Sequence, residues 1–188
     1  MTRSTAEYAD VDMTDQLAAL TGLGDTATRG ETVARILATP SRYCPAVLTA
    51  MASVVFADGH HETGAFWFYA GQLRARFDAG RCTDPSAAAA CGALTEAHGP
   101  PINRWAFAQP GLLPGLIDRV AAWDAATASE YDPRWIALHG MNAFLGSEGP
   151  LLVPSTEWPS LAERTRREFV ESCHGLFDDH GRLRTELF

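Results

Sequence analysis

YCPAVLTAMASVVFADG (residues 43–59) runs directly into HHETGAFWFYAGQLRARFDAG (residues 60–80), and the pair reads as two helices joined by a tight Asp58-Gly59 turn. Pro45 suits the first position of the first helix, where a missing N–H costs nothing. The second helix carries four consecutive aromatics, Phe66 to Tyr69. Four adjacent side chains cover more than half the circumference of a helix, so this helix cannot keep one wet face there. It has to lie wedged between at least two neighbours, as in stacked helical hairpins. Phe66, above Ala70 and Leu73, and Trp67, facing the small Gly71, are expected core residues of the hairpin.

Outward from the hairpin, helical signals continue. A first helix follows Thr14 and stops at Gly22-Leu23-Gly24. Thr28 and Glu31 have capping-box spacing ahead of a Val33, Ile36, Leu37 stripe that ends at Pro40. Thr83-Asp84-Pro85 opens PSAAAACGALTEAH, which is expected to stop at Gly99-Pro100-Pro101 and leave a proline-stiffened loop as far as Phe107. A helix over about 112–126 places Leu116, Val120 and Trp123 on one stripe. A short helical turn follows Asp132-Pro133, and SEGPLLVPSTEWP reads as a loop. The last helix, Ser160 to Phe177, turns Leu161, Phe169, Cys173 and Leu176 inward and Arg164, Arg166 and Arg167 outward. No useful alternating pattern appears, so the expected fold is all-α, a compact single domain over 1–188 with six to eight helices. Residues 1–12 are expected to be disordered or loosely docked.

With 188 residues, one domain burying roughly 70% of its unfolded surface is the default. All 15 basic residues are arginine, against 23 acids, for a net charge of −8. That balance argues against a nucleic-acid partner, which needs a basic face. Without lysine there is no Walker A lysine, no Schiff base and no pyridoxal-phosphate attachment. No segment approaches the ~20 apolar residues of a membrane span, and MTRSTAEYADVDMTDQL does not read as a secretory signal. The expected location is cytoplasmic. Cys44, Cys82, Cys91 and Cys173 contain no C-x-x-C pair, and a helical 82–91 segment would hold its two thiols too far apart to bond. Reduced, buried thiols are expected, with no metal and no cofactor. The adjacent His60-His61-Glu62 diverge as ligands and suit a solvated turn.

The segment Ala52-Ser53-x-x-Phe56-x-x-Gly59, followed by Ala65-x-Trp67-Phe68, resembles one Sel1-type repeat, a relative of the tetratricopeptide repeat. The likeness covers about 35 of the 188 residues. Ser53 stands where that family usually has glycine, the turn is shorter, and no clean second copy follows. More loosely, the chain is similar to small bacterial helical proteins, immunity proteins of toxin systems among them. Both resemblances imply a protein-binding scaffold.

Two function classes follow. The first is a binding module whose acidic surface grips a basic partner protein, in an immunity, antidote or regulatory role; a homodimer is compatible with it. Its expected anchors are Asn103, Arg104 and Trp105 in the 99–107 segment, together with Arg134 after Pro133. Proline stiffening lowers the entropy lost on binding, and Trp and Arg tend to carry interface energy. The second class is a small enzyme whose histidine and carboxylate meet only in the fold, with His98, Asp132 and His139 as candidates. A histidine meeting a carboxylate in an enclosed pocket would favour it.

Overall fold

Helices account for nearly all regular structure in a computed structural model, which describes residues 8–109, 111–147, 149–178 and 184. In chain order they are α1 Thr14–Gly24, α2 Arg29–Ala38, α3 Pro45–Ala57, α4 His61–Arg81, α5 Ala89–Phe107, α6 Leu112–Ala126, α7 Met141–Leu145 and α8 Trp158–His174. Short 3-10 turns at Pro40–Arg42, Pro85–Ala88, Pro133–His139 and Ser155–Glu157 join them. Extended structure among the described residues amounts to isolated bridging such as Cys82 with Leu152. The all-α expectation holds. No described helix is long and apolar enough to cross a membrane. Of the N-terminal twelve residues, 1–7 lie outside the described residues, whereas Tyr8 and Val11 pack against the core.

The aromatic run identifies the central helix correctly. α4 packs against α3, α5, α6 and α8, and it is buried over most of its length, from Gly64 to Arg81. Two cores form around it. One gathers residues of α1, α2 and α3 with Trp135, Ile136 and Leu151; the other gathers Phe68, Leu73, Ile102, Leu116, Ile117 and Phe169. Trp67 and Trp123 touch both, with ring centroids 5.1 Å apart in an edge-on contact. Within the run itself the depth differs from expectation. Phe68 and Tyr69 are the buried pair, while Phe66 and Trp67 are half-buried at the margin. The small Gly71 does leave room for a neighbouring helix, and α3 is the helix that fills it, through Thr49 and Pro45.

That contact sets how closely α3 and α4 approach. A Cβ at Gly64 would come 2.6 Å from Phe56 Cβ and 2.9 Å from the Ala52 carbonyl oxygen, and one at Gly71 would come 2.7 Å from Thr49 Cγ2. The two glycines lie one heptad apart on the same side of α4, so both contacts seal a single seam. Gly64→Val should therefore destabilise the protein by about 1–3 kcal/mol through overpacking, towards the upper end because backbone atoms are involved. Urea unfolding reads this directly, and a midpoint equal to wild type would contradict the close-packed seam.

Two local expectations fail. Thr28 does not close a capping box: its hydroxyl donates to the Gly22 carbonyl at 3.2 Å, tying α2 back to α1. The expected stop at Gly99-Pro100-Pro101 is not a stop, because α5 continues through both prolines to Phe107. The physical reason is that tertiary packing outweighs the local penalty. The prolines deprive only the Glu96 and Ala97 carbonyls of donors, and both residues are exposed to water. Gly99 has no Cβ to clash with the following ring. Beyond the prolines, Ile102 and Ala106 are fully buried and hold the second half of the helix in place. The Asp84 cap does form, accepting from Ser86 N–H at 3.0 Å, and the expected inward residues Leu161, Phe169 and Cys173 of α8 are buried.

Candidate functional site

Extension of α5 changes the setting of three expected anchors. Asn103, Arg104 and Trp105 sit on a helix rather than a loop. Asn103 Oδ1 accepts from the Tyr69 hydroxyl at 2.8 Å. Trp105 packs edge-on against Phe56, with His61 5.6 Å from it. Arg104 is exposed and makes no ion pair with another described residue. Arg134, the fourth, is engaged by Asp132: Nη2 donates to Oδ2 at 2.6 Å and Nε to Oδ1 at 3.0 Å, and Nη2 also reaches the Asp10 carbonyl. Trp105 belongs to the second core, whereas the 133–139 turn closes over the first.

The candidate enzyme residues likewise find other partners. His98 Nδ1 lies 3.0 Å from Ser53 Oγ, and partial burial lowers its pKa. His139 stacks edge-on against Trp135; the residue is largely exposed, but desolvation of its ring lowers its pKa as well. Asp132 serves Arg134. Neither histidine hydrogen-bonds a carboxylate among the described residues, and no three His, Cys, Asp or Glu side chains there cluster as metal ligands. The four cysteines are unpaired. Burial raises Cys44 to about 11, so its place ahead of α3 does not create a reactive thiolate.

What sequence reasoning missed is a buried polar hub. Asp78, on α4, is fully enclosed, and its carboxylate accepts from Arg81 Nη2, from Trp135 Nε1 at 2.6 Å and from the Tyr131 hydroxyl at 3.0 Å. Burial drives its pKa up, against the opposing pull of Arg81 and of the Trp135 and Tyr131 hydrogen bonds. The Arg81 guanidinium lies between the rings of Phe77 and Trp158, 4.4 and 4.7 Å from their centroids. One turn earlier, Arg74 is buried over Trp123 and donates to Asp124 at 3.1 Å and to the Thr127 carbonyl at 2.8 Å. Asp124 in turn holds Arg166 of α8. Apart from Arg74 Nη1 and Arg81 Nε, which have no hydrogen-bond partner among the described residues, these groups occupy one another and cross-brace α4, α6, α8 and the 133–139 turn.

Two features face outward. One is α7, which presents Met141, Phe144 and Leu145 at 57%, 78% and 71% exposure. Both of its ends are fixed. Met141 N–H donates to Ser86 Oγ and Asn142 N–H to Asp84 Oδ2, each at 2.8 Å, and Gly146 closes the far end in the left-handed conformation at φ 64°. The other is a cleft of about 630 Å³, mouth included, between α4, α5, α6 and α8. Phe68, Leu113, Ile117 and Phe169 line it, with Gln72 and Arg76 among its polar groups.

Comparison of the chain with protein-family models, curated proteins and solved structures found no match. The site must therefore be read from its own chemistry. In the sequence, the only trace of the α7 feature is a pair of glycines, Gly140 and Gly146, bracketing five residues. That is too short a helix to bury three large apolar side chains. The cleft leaves no such trace, because its walls come from four separate helices.

Proposed function

We propose that this chain is a protein-binding module whose short helix α7 docks into an apolar groove on a basic partner protein. The observation that carries this reading is the rigid exposure of Met141, Phe144 and Leu145 on one helical turn. Exposed apolar side chains scattered singly need no explanation, but a fixed cluster of three does. Because the Asp84, Ser86 and Gly146 contacts already hold the turn, little conformational entropy remains to be lost on docking. The partner is basic on grounds of charge complementarity: the net charge of −8 attracts a cationic protein at long range, which speeds encounter before the apolar contact forms. Arg104, on the exposed side of α5, is a secondary contact. An antidote role towards a basic toxin is one instance of such binding, and it fits a small acidic chain.

The test is copurification from the native cell with wild type and with Phe144→Ser/Leu145→Ser. Both side chains are exposed, so the variant should melt within about 0.5 kcal/mol of wild type. Wild type is expected to bring down one basic protein in stoichiometric amount, in a complex that weakens as salt rises, and the variant is expected to lose it. Equal recovery by the variant, or an acidic partner, overturns the reading.

A further inference from the structure

The cleft between α4, α5, α6 and α8 contains an unusual selection of polar groups. Although the chain has 23 acids, no Asp or Glu lines the cleft, and its one charged group is Arg76. Arg76 is exposed, lies 5.0 Å over the Phe169 ring and forms no ion pair with another described residue. Deeper in, Gln72 is 95% buried, being 5% exposed, and its Nε2 has no hydrogen-bond partner. Its Oε1 lies 2.9 Å from the Thr95 hydroxyl, whose one proton is shared with the Cys91 carbonyl at the same distance. Leaving an amide N–H₂ dry and unpaired costs free energy that a leucine at the same place would not incur. The Thr95 bond ties α4 to α5 and leaves that N–H₂ unused. Apolar side chains, Phe68, Leu113, Ile117 and Phe169 among them, supply much of the remaining wall, and Tyr69, Asn103 and Ser172 add hydroxyl and amide groups to it.

We infer that this cleft binds a small amphipathic carboxylate, an aliphatic or aryl acid. Its apolar body lies among Phe68, Leu113, Ile117 and Phe169, and its carboxylate takes hydrogen bonds from Gln72 Nε2 and Arg76. One acceptor of negative charge answers both open donors at once, and hydrogen bonds to a charged acceptor in such a site are the strong kind. The space a ligand can occupy is about 200 Å³, below the roughly 300–1,000 Å³ of drug-sized sites and suited to a small acid. The cleft is separate from α7, so the inference stands or falls independently of the partner-binding reading.

Isothermal titration of the full chain with sodium decanoate tests it, with 1-decanol and decylamine as matched neutral and cationic probes. Decanoate should bind one-to-one with a sub-millimolar constant, and decanol and decylamine should bind far more weakly. Arg76→Ala, at an exposed position, should weaken decanoate about tenfold or more. Gln72→Leu should also weaken it while melting at or above the wild-type temperature, which separates loss of the site from loss of the fold. The inference is overturned if decanoate gives no saturable binding at millimolar concentration. It is equally overturned if decanol or decylamine matches it, or if both variants bind decanoate as wild type does.

Discussion

Asp78→Ala should lower the unfolding free energy by about 3–5 kcal/mol, because it removes the carboxylate hydrogen-bonded to the buried Arg81 guanidinium. Arg81 is 3% exposed, its next acid, Asp132, is a more distant charge bonded to Arg134, and its Nε already lacks a partner. The same substitution strands Trp135 Nε1, which is 1% exposed, and takes one of its partners from the buried Tyr131 hydroxyl. Against a typical domain stability of about 5–15 kcal/mol, the loss is large enough to unfold much of the population at physiological temperature. Asp78→Asn keeps the shape and gives a milder control. It also exposes the linkage to pH. Burial raises the folded-state pKa of Asp78 above its ordinary 3.8. Between that value and the raised one, the native state holds a proton that the unfolded chain has released. Stability from this group therefore falls as pH rises through the window and levels off above it. Wild type should hold its greatest advantage over Asp78→Asn near pH 4, with a smaller one at neutral pH. Denaturant unfolding at a series of pH values reads both effects, and an advantage that grew with pH would show that Asp78 is held ionised instead.

Phe68→Ala should cost about 3–5 kcal/mol, the usual range for deleting a fully buried phenylalanine. Phe68 is 1% exposed, stacks edge-on with Tyr69 at 5.2 Å and joins α4 to the core formed with α5, α6 and α8. Trp67→Ala and Phe66→Ala remove half-buried rings and should each cost clearly less, although the sequence alone singles those two out as core. Thermal melts of the three alanine variants in parallel decide the order. If Trp67→Ala proved the most damaging, the seam with Trp123 would outweigh the buried core as the source of stability.

The difference between those residues marks how far the sequence was readable. The α3–α4 hairpin was legible because its determinants are local: Pro45 at a helix start, a glycine turn at φ 90° and an aromatic run too broad for one face. The depth of each ring was not, since it depends on which helices arrive beside α4. The Asp78 hub was hidden for a related reason. Tyr131 and Trp135 lie 53 and 57 residues away along the chain, and neither spacing nor composition links them to Asp78. At Pro100-Pro101 the local rule was sound but lost to the burial of Ile102 and Ala106. That error turned Asn103, Arg104 and Trp105 from presumed loop anchors into positions on a packed helix. Gln72 carries no local signal at all, because an unpaired amide is visible only once the surrounding walls are in place.

The same two prolines give α5 a character that its outline conceals. Helix growth proceeds by each new residue closing a bond four residues back, and at Pro100 and Pro101 two successive closures are chemically absent. Propagation cannot run through that point on hydrogen bonds alone. The segment before it grows from the 3-10 turn at Pro85–Ala88, and the segment after it is organised by the second core. α5 is thus one rod whose continuity at the prolines rests on burial, at Gly99, Ile102 and Ala106, where two backbone bonds are missing.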